Sequence, residues 1–126
     1  MSMTTYPSGP KESWEDLARR IDGGLLVVKP VQVIGWLQDY NWPGASTIAR
    51  FLRRHELEDL RVAIELALDS GDDIWCYWTV SILLANRSSA DLLPFIPRLK
   101  VLLNSSEEDL VSMVQELLAR ASAHEG

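Results

Sequence analysis

The sequence predicts an all-α protein, a short α-solenoid of three helical hairpins with one further helix at the N-terminus. Three observations carry this prediction. Leucine pairs recur with a fifteen-residue spacing, at Leu37 and Leu52, Leu68 and Leu83, and Leu103 and Leu118. The pairs themselves repeat at intervals of about 31–35 residues, a period that marks helical-repeat arrays. Each pair brackets a polar turn: Asp39-Tyr40-Asn41, then Asp69-Ser70-Gly71-Asp72-Asp73, then Asn104-Ser105-Ser106-Glu107. One helix–turn–helix unit therefore appears three times. Such arrays bury their faces against neighbouring repeats and offer long surfaces for binding other molecules.

Residues 1–11, with Pro7, Gly9 and Pro10, are expected to form a loose tail ahead of a single domain over 12–126. Ser13 is a candidate cap for the first helix, with Asp16 three residues on. Trp14, Leu17, Ala18 and Ile21 give its i, i+3, i+4, i+7 stripe, and Gly23-Gly24 ends it. The apolar run Leu25 to Val28 has no strand to pair with and reads as a buried connector to Pro30, which suits a first helical turn. A second helix follows over 30–39, with Val33, Trp36 and Leu37 inward. The third begins at Pro43 behind Trp42, which the proline holds extended. Its stripe is Ala45, Ile48, Ala49 and Leu52.

The fourth helix, over 56–69, buries Leu57, Leu60, Ile64, Ala67 and Leu68 and keeps Glu58, Arg61 and Glu65 on its wet face. The fifth starts at Asp72 or Asp73, either a good N-cap. It then runs Ile74-Trp75-Cys76-Tyr77-Trp78 and on through Val80, Ile82, Leu83 and Leu84. Apolar on nearly every side, it is expected at the centre of the core. After a turn over 86–89, with Ser89 as the cap, the sixth helix is placed from Pro94 to Leu103. An interior proline costs about 3 kcal/mol but little in a first turn. Ser105 and Glu108 form a capping-box pattern for the last helix. Its stripe is Leu110, Met113, Val114, Leu117 and Ala121, its ion pair Glu116–Arg120, and it is expected to fray from Ala123.

The composition of the 126 residues narrows the function. A net charge of −6 opposes binding to phosphate backbones and favours basic partners. No apolar run approaches a membrane span, and no basic-then-apolar N-terminal segment suggests secretion. The one cysteine excludes an internal disulfide framework, so a reducing cytoplasm is the expected location.

Two stretches carry a family resemblance. Trp36-Leu37-Gln38-Asp39-Tyr40-Asn41-Trp42-Pro43 resembles the W-L-Q-D-x-N-W-P pattern of a family of small bacterial domains of unknown function. Asp72-Asp73-Ile74-Trp75-Cys76-Tyr77-Trp78 resembles that family's D-D-x-W-x-Y-W pattern. Members commonly place lysine where this chain has Cys76, and valine where it has Gly44. The resemblance implies a HEAT-like helical-repeat fold and no assigned chemistry.

The candidate binding residues are Asp39, Asn41, Trp42, Asp72 and Asp73. The four polar ones fall in inter-helix turns, where an acidic rim would hold Lys or Arg side chains of a partner. The same residue types serve equally as helix caps. Trp42 beside Pro43 suits an interface anchor, whereas Trp75 and Trp78 read as core. Arg50, Arg53, Arg54 and His55 gather at a helix end, where positive charge suits the dipole. Cys76 reads as a small core residue. No nucleotide-binding, nucleophile-elbow or zinc-helix motif is present, and no catalytic residue, metal or cofactor is expected. The expectation is a protein-binding module, specifically an immunity-type inhibitor that occludes a cognate toxin with a basic surface. The alternative is an adaptor subunit of a housekeeping complex, and a hydrolase or ligand-binding domain using the paired aspartates is a distant third.

Overall fold

The computed structural model describes residues 5–125, with side chains through residue 123. Seven helices account for the order of elements. Helix α1 (Trp14–Asp22) follows a 3-10 turn at Lys11–Ser13. Helix α2 is α-helical over Pro30–Val33 and tightens into a 3-10 turn over Ile34–Gln38. Helices α3 (Ala45–Arg53) and α4 (Leu57–Leu68) are regular. Helix α5 (Asp73–Thr79) widens into a π turn over Val80–Leu84. Helix α6 is built from Ser89–Leu92, a 3-10 turn at Leu93–Phe95, and Ile96–Leu102. Helix α7 is Glu108–Glu125. No strand occurs among the described residues.

The apolar stripes are buried as their periods require. Val33, Trp36, Leu37, Ala45, Ile48, Ala49, Leu52, Leu60 and Ile64 are all closed to solvent, as are Leu110 and Val114 from the last helix. Burying a Leu or Ile side chain stabilises by roughly 1.5–3 kcal/mol, so these stripes dominate the fold. Packing alternates along the chain. Odd helices meet in succession, α1 on α3, α3 on the end of α5, and α5 on α7. Even helices do the same, α2 on α4 and α4 on α6. Charges lock two of these contacts. Asp22 at the end of α1 takes Arg50 at 2.9 Å and Arg54 at 2.6 Å from the end of α3. Arg98 of α6 reaches Asp69 at 3.0 Å and Glu65 at 3.3 Å beside α4.

Gly44 shows how tightly α1 and α3 approach. Its φ is +87°, and a Cβ there would lie 2.7 Å from Ala18 Cβ and 3.0 Å from the Trp14 carbonyl oxygen. A valine, the usual residue in the resembled pattern, has no room at this place.

Several expectations need correction. The N-terminal segment is anchored at Tyr6, whose N–H donates to the Gln32 carbonyl at 2.7 Å and whose ring stacks 6.3 Å from Trp36. Residues 1–4 of the expected tail lie outside the described residues. Ser13 does not cap α1, because its hydroxyl donates to the Pro10 carbonyl inside the preceding 3-10 turn. The connector Leu25 to Val28 is not buried throughout. It alternates, with Leu26 and Val28 packed and Leu25 and Val27 76% and 97% exposed. Ser88, not Ser89, caps α6, accepting from the Asp91 N–H. That helix begins before Pro94 because each proline falls in the first turn of a new segment, where its missing N–H removes no hydrogen bond. The Ser105 hydroxyl accepts from the Glu107 N–H, outside the helix it was expected to cap. Arg120 does not pair with Glu116; its guanidinium donates to the carbonyls of Ala85 and Arg87 and so ties α7 to the α5–α6 turn. The last helix is regular through Glu125, and Gly126 lies outside the described residues.

Candidate partner-binding surface

The first turn folds on its own aspartate. Asp39 Oδ1 accepts the Asn41 N–H at 2.9 Å, and the Asp39 carbonyl accepts the Trp42 N–H at 3.0 Å. Asn41 is exposed. Trp42 is half-buried and meets Trp14 edge-on at 5.3 Å, while the Lys11 ammonium lies 5.7 Å from the Trp14 ring centre and 6.0 Å from that of Trp42.

The second turn is a cap in full. Asp72 Oδ1 accepts from the N–H groups of both Ile74 and Trp75 at 3.0 Å. Its own N–H donates to Ser70 Oγ at 3.1 Å. Asp73 is the first residue of α5 and makes no ion pair among the described residues. Cys76 behind it is buried, and its thiol donates to the Ala67 carbonyl at 3.4 Å. Burial above all, with the nearby carboxylates of Asp73, Asp72 and Asp69, pushes the thiol up to about 11 against the lowering effect of the Ser70 hydroxyl. It is protonated and unreactive near neutral pH.

The central helix does not have a uniform environment. Cys76, Thr79, Val80, Leu83 and Leu84 are buried, whereas Ile74 is 46% exposed and Trp75, Tyr77 and Trp78 are half-buried. The expectation of Trp75 and Trp78 as core is therefore corrected in part: both pack against the core and stay half-buried. The tryptophans separate by where their indole N–H groups go. Trp14 donates to the Gly9 carbonyl, Trp36 to Pro43 and Trp75 to Ile34, each at 3.0 Å. The indole N–H groups of Trp42 and Trp78 have no acceptor among the described residues. Nor are they sealed away, because the Thr79 hydroxyl is the only buried side-chain polar atom without a partner in that set. These two N–H groups are not fully closed to solvent.

Trp78 sits at the centre of an aromatic group. Tyr40 from the first turn stacks behind it at 4.8 Å, and Tyr77 stands at 81° to it, 4.9 Å away. Tyr77, Trp78 and Ile74 line an open groove of about 290 Å³ together with Glu107 and Asp109 at the start of α7. Neither carboxylate takes part in an ion pair among the described residues. On the other side of the same turns, Asp73 lines a second open pocket of about 570 Å³ with Asp69, Arg98, Asn104 and Ser106.

The structure thus divides the predicted site residues. Asp39 and Asn41 are linked to Trp78 through Tyr40 between them. Asp72 and Asp73 lie at the N-terminus of α5. Trp42 is drawn to Trp14 and Lys11 at the α1–α3 contact. The basic patch is consumed internally: Arg50 and Arg54 serve Asp22, Arg53 donates to the Ile82 carbonyl and His55 to that of Phe51. No three His, Cys, Asp or Glu side chains among the described residues converge on a metal position. No helix there is long and apolar enough to cross a membrane.

A family model described as a domain of unknown function, DUF5071, matches residues 12–122. The chain belongs to that family. No curated protein and no solved structure matches it. In this DUF5071 domain the match runs from the 3-10 turn before α1 to the last turns of α7, so both aromatic groups lie inside it. Tyr40, Tyr77, Glu107 and Asp109 were not among the five candidate binding residues named from the sequence. For Tyr77 one signal was present: Ile74, Tyr77, Trp78 and Ser81 share a helical face whose last member is polar, while Cys76, Thr79, Val80 and Leu83 share the other.

Proposed function

We propose that this DUF5071 domain is a protein-binding module, an immunity-type inhibitor that occludes a cognate toxin in the cytoplasm. The observation that carries the reading is Trp78: half-buried, its indole N–H without an acceptor among the described residues, backed by Tyr40 and set beside carboxylates without counter-ions there. Buried aromatics with a free polar end are the anchors of protein interfaces, and unpaired charge at the rim steers a partner of opposite sign. The turn at Asp39 and the cap at Asp72 each use one carboxylate oxygen, leaving the other to contribute to that field. The net charge of −6 and the small size support inhibition of a basic protein over a scaffold role. The succession of odd-on-odd and even-on-even contacts supports a HEAT-like solenoid as the frame.

A photo-crosslinking residue placed at Tyr77, and separately at exposed Arg19 as a control, tests the reading in the native cell. Capture of one protein from Tyr77 and not from Arg19 is expected. Growth arrest by that protein alone, relieved by co-expression with this chain, is expected for an inhibitor. A captured protein that is harmless alone and needed for growth would establish an adaptor instead. No crosslink from Tyr77 would remove this face from consideration.

A further inference from the structure

Among the described residues, two edge-on corners are built on tryptophan, and only one of these two has its own cation. Trp14 and Trp42 meet at 66° with ring centres 5.3 Å apart, and the Lys11 ammonium lies within 6.0 Å of both centres. Tyr77 and Trp78 meet at 81° with centres 4.9 Å apart. No Lys or Arg of the described residues lies over either of these rings. In place of a cation, the groove they wall carries Glu107 and Asp109.

Resting on the reading of this face as a binding surface, we propose that the Tyr77–Trp78 corner receives a lysine or arginine side chain of the protein partner. Three kinds of observation agree. Aromatic faces attract a cation within about 6 Å through the negative face of the ring. The carboxylates of Glu107 and Asp109 add direct attraction, and neither is neutralised within the described chain. The aliphatic stem of a lysine or arginine suits the apolar floor provided by Ile74, which is 46% exposed. A neutral apolar side chain would leave both carboxylates uncompensated, and an acidic one would be repelled. The internal Lys11 corner shows that this fold already uses the same contact to fasten its own N-terminal segment.

Indole N–H resonances in ¹⁵N-labelled protein test the proposal directly. Trp78 is assigned by the signal lost in Trp78→Phe. The probes are N-acetyl-arginine methylamide and its neutral citrulline isostere. Arginine should move the Trp78 signal along a saturable curve, with citrulline at least five-fold weaker. Glu107→Gln with Asp109→Asn should weaken arginine binding at least three-fold while the other indole signals keep their positions. Trp42 should not respond until Lys11→Ala vacates its corner. Equal responses to arginine and citrulline, or a Trp78 signal that arginine does not move, would overturn the proposal. Crosslinking from Tyr77 separates the two levels. A crosslink without arginine selectivity rejects the cation and keeps the binding face; selectivity without a crosslink does the reverse.

Discussion

The α1–α3 corner and the α5–α7 corner use the same residue types toward opposite ends. At the first, Lys11 covers Trp14 and Trp42, Trp14 donates to Gly9, and Asp22 takes up Arg50 and Arg54. Apart from the Trp42 N–H, which lacks an acceptor among the described residues as that of Trp78 does, charges and rings there are matched within the chain, and the result is the attachment of the N-terminal segment. At the second, Tyr40 and Tyr77 hold Trp78 in place, yet its N–H and the carboxylates of Glu107 and Asp109 are left unmatched. Rings and charges satisfied internally stabilise a fold, while the same groups left open are available to a partner. On the proposal made above, what distinguishes the structural aromatic corner from the other is where the matching cation comes from.

The largest effect that tests this contrast is on stability. Trp36 is fully buried and donates to Pro43, so Trp36→Ala should cost about 3–5 kcal/mol, the range for truncating a buried large aromatic. Trp78→Ala should cost under about 2 kcal/mol, since only part of that ring leaves water, while weakening the partner at least ten-fold. Urea unfolding of both variants decides. Equal costs would return Trp78 to the core and dissolve the contrast.

Next in size is a pair of glycines with nearly the same backbone. Gly44 and Gly71 have φ of +87° and +79°, so alanine at either is strained by about 1 kcal/mol. At Gly71 an added Cβ meets nothing within 4 Å, whereas at Gly44 it meets Ala18 Cβ at 2.7 Å. Crowding a packed core adds about 1–3 kcal/mol. Gly44→Ala should therefore cost about 2–4 kcal/mol and Gly71→Ala about 1, read from denaturation midpoints. Similar values for the two would mean that α1 and α3 separate easily and that their corner is not the rigid one.

A good part of this fold was legible in the sequence because helical burial follows a period. The stripes of α2, α3, α4 and α7 lie where their spacing put them. Local capping was less legible. Ser88 and Ser89 are equivalent as letters, and only the geometry shows which hydroxyl reaches the Asp91 N–H. The site was legible in part. Asp39, Asn41 and Asp72 do fall in turns and Asp73 opens α5, but service to local backbone, as at Asp39 and Asp72, and service to a partner look the same in one dimension. Trp78 was placed only in part, packed against the core yet half-buried, because a nearly all-apolar helix hides which of its faces is open. Glu107 and Asp109 stand some thirty residues from Trp78, and only the meeting of α5 with α7 joins them.

A smaller effect separates cap from charge at the second turn. Asp72→Ala removes the acceptor for Ile74 and Trp75 and should cost about 1 kcal/mol. Asp72→Asn keeps a side-chain oxygen in the same place and should leave the melting temperature nearly unchanged, since Asn caps as well as Asp. If the charge of Asp72 also serves the partner, the Asn variant alone should lower the association rate, and more at low salt than at high. An association rate equal to wild type at both salt concentrations would leave Asp72 as a cap alone.

The smallest expected effect is a pH dependence confined to the α1–α3 side. The hydrogen bond from Arg50 is the main influence holding the Asp22 carboxyl below its ordinary value; partial burial opposes it, and Arg54 adds to the lowering. The sign follows from linkage. A carboxyl whose folded value is depressed binds its proton less readily in the folded state than in the unfolded one. Its contribution is complete above the unfolded value near 4 and is lost as pH falls through the folded value. Both arginines are largely exposed, with side chains 64% and 50% open, so solvent screening keeps the contribution to about 1 kcal/mol or less. Stability measured by urea unfolding should fall between pH 5 and pH 2 more steeply in the wild type than in Asp22→Asn, and the difference should shrink in 1 M salt. Arg50→Gln should flatten the same slope without touching the α5–α7 groove. Equal acid slopes in wild type and Asp22→Asn would place the acid-sensitive group elsewhere and would remove the charge lock from what fastens α1 to α3.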